Sequence, residues 1–409
     1  MTATGERRAS ATDAAILELV RRRSETSRVE IARELGVTPA TVTYAVKRLL
    51  AAELLVESGF ASSRGGKRAA LLRLNDQARW AIGCTIDTDR LSLVGVDMSG
   101  ALRSRLALPL PAAADATEVS AALDRALSMI DPHPDARSST GIGFAIPYGL
   151  GVDGHRLLRE IAVDLDIPSI TASAPTCAAL GSSWSGEQPE SGLCATVHMD
   201  AGLGLSILQD GRPLQPTTGN GATLDHVVID PDGPVCECGG SGCLHQYAST
   251  RAILRSAQQA DGLAQDLGLA LTPASRSSDT VLIALAAARG EPRAREVFQG
   301  AVTALAQAVW SAISALGIEA IVMSGPAVQA APVLVGQTMD RLLSGRARNL
   351  GMEISVSVSQ VQPHPCGVGA AVLALQTFMT PGRASRSGAA GADAGADAGV
   401  DTARAFSPP

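Results

Sequence analysis

The chain is poor in aromatic residues. Phe, Tyr and Trp together make up 3% of 409 residues, so Leu, Val, Ile and Ala must fill whatever core the 46% hydrophobic content builds. It also lacks any continuous apolar run approaching the ~18–20 residues that a bilayer-spanning helix needs, which excludes a membrane-spanning reading. Residues Met1–Ser10 are polar and contain no apolar segment of the secretory kind. The expected location is therefore the cytoplasm, where seven cysteines do not form a disulfide framework. Three of them cluster at Cys236, Cys238 and Cys243, a spacing that points to a metal.

A net basic charge is missing as well. The whole chain carries 34 Lys+Arg against 40 Asp+Glu, a formal charge of −6. The charge is unevenly spread. Residues 1–75 hold 13 basic against 8 acidic side chains (+5), leaving 21 against 32 (−11) for the rest. That asymmetry suggests a nucleic-acid-binding head on an acidic body, and the length suggests two or three domains.

The head reads as helices with explicit start and stop signals. Residues 12–23 place Ile16, Leu17, Leu19 and Val20 on or near one face. Ser27 and Glu30 have capping-box spacing ahead of a second helix that stops at Gly36. Thr38 caps a third helix, with Pro39 at its first position. Two short helices joined around a glycine are the helix-turn-helix spacing. In the third helix Val42, Val46, Leu49 and Leu50 can face the core. Ala40, Thr41, Thr43, Tyr44 and Lys47 then fall outward, where a recognition helix meets base edges. Two strands follow around a loop containing Arg64, Gly65, Gly66, Lys67 and Arg68, a basic tip suited to phosphate or minor-groove contact. The bland alternative is a small helical domain with a solvated charged face. The ordered set of caps followed by a basic hairpin favours DNA binding.

After Arg79 the chain turns to Val/Ile/Leu runs separated by glycines and interleaved with helical segments, an α/β pattern with mixed sheets. Residues 219–249 read GNGATLDHVVIDPDGPVCECGGSGCLHQYAS, and residues 366–375 read CGVGAAVLAL. Together they resemble the signature of the ROK family (repressors, open reading frames, kinases), whose pattern is a Gly-His pair, then C-x-C-G-x-x-G-C-x-E and a Gly-Ala-Ala closing helix. With the N-terminal winged helix, the resemblance covers residues ~12–378 and is to the repressor branch, which includes regulators of xylose and N-acetylglucosamine genes. It implies an N-terminal winged helix-turn-helix over 1–75, then a two-lobed actin-like (ribonuclease H-like) sugar-kinase-type domain over 79–379. Lobe one would be about 79–180 plus 366–379, and lobe two about 181–365. It further implies a homodimer or homotetramer that releases its DNA operator when a sugar or sugar phosphate binds between the lobes.

By the same resemblance His226, Cys236, Cys238 and Cys243 are the ligands of Zn²⁺. One imidazole and three thiolates close a tetrahedral shell, which is structural rather than catalytic. Free thiols beside a core histidine are the alternative, and His245 is a spare candidate ligand.

The residues of phosphoryl transfer do not carry over. Where the family's first phosphate loop reads D-x-G-G-T, this chain has Thr85-Ile86-Asp87-Thr88-Asp89, and carboxylates there repel a polyphosphate. The catalytic Asp position holds Ala174, which accepts no proton, and the neighbouring sugar-binding Asn is Ser173. The second phosphate loop is partly kept as Asp200-Ala201-Gly202-Leu203-Gly204. Ser324-Gly325-Pro326 reads as a strand-to-strand turn rather than a nucleotide contact. The chain is thus expected not to be an enzyme.

The sugar site is altered too. Thr223 stands where the family has a Glu, Asp225 replaces the Gly before His226, and His245 replaces the Glu after the last cysteine. Only about 25 residues separate Pro147 from Ser173, fewer than in sugar-binding relatives. An effector could be met by Thr223, Asp225, His226 and His245, with His155 as a further candidate. Alternatively the body binds nothing and serves as a dimerisation scaffold. Residues 131–138 read as a surface loop, and 380–409, rich in Ala, Gly, Asp and Ser, as a disordered tail. The sum is a sequence-specific transcriptional repressor. A sugar kinase fused to a DNA-binding head is the alternative, and a scaffold whose head binds protein is a third.

Overall fold

The computed structural model describes residues 3–60, 68–86, 90–111, 115–130, 139–146, 157–158, 160–161, 163, 167–189, 191–214, 222–361 and 364–378. The chain divides into two compact units, one of Met1–Arg73 together with the chain from Gln376 onward and the other of Leu74–Leu375.

The first unit contains α1 (Ala3–Arg23), β1 (Thr26–Ser27), α2 (Arg28–Leu35), α3 (Pro39–Ala51), β2 (Leu55–Phe60) and β3 (Ala70–Leu74), with the strands in the order β1-β3-β2. The expected caps are all formed. Ser27 accepts from the Glu30 backbone N–H, while the Glu30 carboxylate accepts from the Ser27 N–H. These bonds hold the Glu30 carboxyl below its ordinary range. Gly36 ends α2 at φ 62°, a left-handed conformation that costs glycine least. Thr38 caps α3 with Pro39 in its first turn. Two details differ from the sequence expectation. α1 begins at Ala3 rather than at residue 12, because Ala, Glu and Arg extend an existing helix cheaply without an apolar stripe. In α3 it is Ala45 that joins Val42, Val46 and Leu49 in the core, while Leu50 is half-buried. Arg48 clamps α1 to α3 by bonding both oxygens of the buried Asp13 carboxylate, at 3.1 and 2.6 Å.

The second unit contains two five-strand paths with one plan. In the first, β4 (Trp80–Ile86), β5 (Arg90–Asp97) and β6 (Leu102–Pro109) form an antiparallel meander. β7 (Ile142–Ile146) and β8 (Ser169–Ser173) add in parallel on the other side of β4, giving the order β6-β5-β4-β7-β8. In the second, β9 (Leu193–Met199), β10 (Leu203–Gln209) and β11 (Arg212–Pro213) are the meander, and β13 (Ala320–Ser324) and β14 (Ser355–Val358) the parallel additions. The order is β11-β10-β9-β13-β14, with β12 (Ala222–Thr223) paired to β10. The mixed α/β architecture is thus one topology used twice.

Helices cover these sheets. α4 (Ala116–Ile130) packs Val119, Leu123 and Ala126 with Leu91, Leu93 and Phe144 of the first sheet. α5 (Ala174–Trp184) follows β8 directly. Beyond the second meander come α6 (His245–Ala248), α7 (Thr250–Gln259), α8 (Leu263–Asp266), α9 (Arg276–Ala288), α10 (Pro292–Leu316), α11 (Pro326–Ala330) and α12 (Pro332–Asn349). α10 alone among the described residues is long and apolar enough to cross a membrane, but its Phe298, Val302, Leu305, Val309 and Ile313 lie inside the second core.

α13 (Pro365–Phe378) closes the unit by backbone-to-backbone contact. A Cβ on Gly83 of β4 would strike the Gly367 carbonyl, and one on Gly143 of β7 the Ala370 carbonyl. A Cβ on Gly369 would strike the Cys177 carbonyl of α5, and one on Gly181 would come within 2.7 Å of the Pro365 carbonyl. Only glycine allows these approaches, so Gly143→Ala is expected to cost about 2 kcal/mol or more as overpacking. Gly345→Ala, at a helical site with open space around it, is expected to stabilise by about 0.5–1 kcal/mol. Urea denaturation of the two variants distinguishes them, and equal effects would remove the close-approach argument.

Candidate functional site

Three arrangements carry chemistry. The first is the outer face of α3. Ala40, Thr41, Thr43, Tyr44 and Lys47 are all exposed, Tyr44 at 69%. Thr43 Oγ1 donates to the Pro39 carbonyl at 2.8 Å, and the Thr41 and Thr38 hydroxyls share a 2.8 Å hydrogen bond. The threonine rotamers are therefore set before any partner arrives. Lys47 has no carboxylate partner among the described residues, whereas Arg48 is committed to Asp13. Arg68 is described and exposed; Arg64 and Lys67 lie outside the described residues. The same unit also exposes two apolar side chains that sequence reasoning did not single out, Val29 of α2 and Phe60 at the end of β2. Exposure of a single apolar residue leaves no periodic signal that could have flagged them.

The second is the loop from His226 to Cys243. Narrow bridges pair Val228 with Cys243 and Val235 with Ser241, folding the loop back on itself. Gly242, at φ 65°, lies against the Asp230 backbone where no side chain fits. The Cys236 N–H donates to the Gly240 carbonyl at 2.7 Å. His226 Nδ1 sits 3.6 Å from Cys236 Sγ, and Cys238 Sγ sits 3.6 Å from Cys243 Sγ. All four ligand atoms lie within 4.8 Å of one another, so this cluster could hold a metal ion. The Cys238 backbone N–H holds the Cys236 thiol down to about 6, while burial and the neighbouring sulfurs push Cys243 up to about 12. Negative charge on sulfurs this close is self-repelling, and a bound cation removes the repulsion.

Next to this loop, Thr223, Asp225 and His245 form one hydrogen-bonded group. The Asp225 carboxylate is fully buried and accepts from Leu203 N–H (3.2 Å), Thr223 Oγ1 (3.0 Å) and His245 Nδ1 (3.1 Å). Its oxygens are thus engaged within the protein, and the group that remains for a ligand is His245 Nε2. The His226 and His245 ring centroids are 6.3 Å apart. His155 lies outside the described residues.

The third is the start of α5. Ser173 caps the helix, its Oγ 2.9 Å from the Thr176 hydroxyl, and Ala174 opens it with no carboxylate. The Ala174 carbonyl accepts from Cys366 Sγ at 3.4 Å. Cys366 Sγ also lies 3.5 Å from His198 Nε2, whose Nδ1 is 3.3 Å from Ser324 Oγ. Burial holds the His198 imidazole down to about 4. At the turn after β9, Asp200 accepts from Ser277 Oγ (2.9 Å) in the first turn of α9, and burial raises its carboxyl. A carboxylate of the chain itself therefore sits at that helix start. Gly325 differs from expectation. It is not a strand-to-strand turn but the residue between β13 and α11, at φ 124° against the Met199 backbone. The buried β13 needs its crossover helix packed back on the sheet, and a short Gly-Pro entry allows that. Asp87, Thr88 and Asp89 lie outside the described residues.

Comparison with known proteins matches these parts. A family profile described as the ROK family matches residues 143–377, and one described as winged helix-turn-helix DNA-binding matches residues 10–56. The chain is 23% identical over 256 residues to the xylose repressor of Bacillus subtilis, covering 59% of this chain and 67% of that protein. It is 24% identical over 336 residues to the DNA-binding transcriptional dual regulator NagC of Escherichia coli, covering 79% and 82%. In fold it is similar to a ROK family transcriptional regulator, a homolog of the E. coli MLC protein. The TM-score is 0.67 at 20% identity, covering 90% of this chain and 96% of that one. It is also similar to a ROK family glucokinase from Streptomyces griseus, with TM-score 0.59 at 24% identity, covering 73% and 99%.

The buried His198 makes a pH prediction. Its folded value near 4 lies below the unfolded ~6.5, so the unfolded chain binds more protons between the two. Its stabilising contribution is complete above ~6.5 and is lost as pH falls toward 4, up to about 3 kcal/mol. Urea midpoints of the wild type should fall more steeply over that window than those of His198→Gln. Parallel slopes would sink the assignment.

Proposed function

This chain belongs to the ROK family, and from that premise we propose that it is a sequence-specific DNA-binding transcriptional repressor whose kinase-like body no longer transfers phosphoryl groups. The observation that carries the reading is the outer face of α3: five exposed residues on a helix capped by Thr38 and clamped to α1 through Arg48 and Asp13. Thr41, Thr43 and Tyr44 are suited to base edges and thymine methyls, and Lys47 and Arg68 to phosphates. Arg64 and Lys67 extend the same basic series in sequence. In a homodimer or homotetramer, two heads would occupy successive major grooves of a near-palindromic operator. Such a protein works in the cytoplasm, where its DNA is.

In the body, Ala174 stands where phosphoryl transfer needs a carboxylate base, and its carbonyl is already met by the Cys366 thiol. The body's roles are then subunit pairing and effector binding. His245 Nε2, with Nδ1 held by Asp225, offers a hydroxyl-accepting nitrogen beside Thr223 and His226. The four-ligand loop fits Zn²⁺. Zinc–sulfur bonds of ~2.3 Å in a tetrahedron set sulfur atoms ~3.8 Å apart, close to the 3.6 Å between Cys238 and Cys243. His226, Cys236, Cys238 and Cys243 would hold it in a structural shell.

Genome-wide mapping of bound DNA should show discrete enriched sites that vanish when residues 1–75 are deleted; no enrichment over that control overturns the reading. Lys47→Ala should weaken binding to all sequences alike and lower the salt slope by about one. Tyr44→Ala should cost about 1–3 kcal/mol at one operator position. Incubation with ATP and a panel of hexoses should yield no sugar phosphate, and turnover would restore the kinase reading. Metal analysis should find a single zinc ion per chain, lost in Cys236→Ser.

A further inference from the structure

The seven cysteines differ sharply in access. Cys84, Cys177, Cys194, Cys236, Cys243 and Cys366 are buried, and Cys238 alone is exposed. Burial keeps Cys84, Cys177 and Cys194 away from a dissolved oxidant. Cys238 is different in a second way. Its sulfur lies 3.6 Å from that of Cys243, with Gly240 between them. A Cβ on Gly240 would stand 3.7 Å from each sulfur, so no side chain separates the pair. Gly239 has nothing within 4 Å of the place where its Cβ would be, and Gly239 and Gly242 already occupy positive φ. A disulfide requires the two sulfurs to approach from 3.6 Å to ~2.0 Å with nothing interposed.

We propose that Cys238 and Cys243 form a peroxide-sensitive dithiol pair whose oxidation expels the bound metal, an inference that rests on the zinc reading above. The Cys238 thiolate attacks one oxygen of hydrogen peroxide, the O–O bond breaks, and hydroxide leaves to take up a proton. The product is a sulfenic acid on Cys238. Cys243, which as a zinc ligand would already be deprotonated, then attacks that sulfur with its thiolate, forming the S–S bond and releasing a second hydroxide, which becomes water. Two thiolates lose two electrons in all, and one peroxide is reduced to two waters. His226 and Cys236 remain as the only ligands, too few to retain zinc.

The test uses the full-length chain, reduced and then given stoichiometric zinc. Hydrogen peroxide should release close to one zinc per chain to a chromophoric chelator. A protease cutting after Glu237 then separates Cys236 from the fragment that begins at Cys238. That fragment should be lighter by two hydrogens, with Cys236 still open to alkylation, and reductant should restore zinc uptake. A zinc-loaded chain that keeps its metal and both thiols under peroxide overturns the inference and leaves the zinc reading standing. So does a cross-link that joins Cys236. A reduced chain that takes up no zinc removes the metal reading and this inference with it.

Discussion

The body is organised around the approach of α13 to two backbones at once. Helices normally stand off a sheet by the length of their side chains. Here Gly83 and Gly143 on one side, and Gly181 and Gly369 on the other, remove that spacing. The helix thereby packs against β4, β7 and α5 together, and its first turn carries Cys366 to the Ala174 carbonyl and to His198. The environment of Ala174 follows from that packing. The Cys366 thiol meets the Ala174 carbonyl, and behind it stands the buried His198 imidazole, which burial keeps neutral.

The same exchange of roles recurs elsewhere. At the turn after β9 a carboxylate, Asp200, occupies the first turn of α9 through Ser277. Beside the loop from His226 to Cys243, the buried Asp225 uses its oxygens on Leu203, Thr223 and His245. The Asp225 oxygens are thereby met by the protein itself, since a buried carboxylate without donors is costly. The open functionality is left on histidines and on the cysteine loop.

The head follows a different principle. Its caps, Ser27 with Glu30, Gly36, and Thr38 with Pro39, act within one turn of chain. They set the helix ends, and the Asp13–Arg48 clamp joins α1 to α3. The outer face of α3 stays polar and exposed because nothing in its own unit needs it for packing.

What the sequence determined by itself is whatever depends on near neighbours. The capping box, the helix-turn-helix spacing, the meander of β4 and β5, and the clustering of Cys236, Cys238 and Cys243 are all set by separations of a few residues. That no Asp or Glu lies in the turn around Ala174 was legible for the same reason. What tertiary structure alone decided involves partners far apart in the chain. The repeated sheet plan joins β9 to β13 across some 120 residues without leaving a sequence repeat. The need for glycine at 83 and 143 comes from carbonyls near residue 370. Asp225 reads as an open acidic group until Leu203 and His245 are brought to its oxygens. Periodicity reports which face of an element is buried, but not what buries it, and here the burying backbone arrives from the end of the chain.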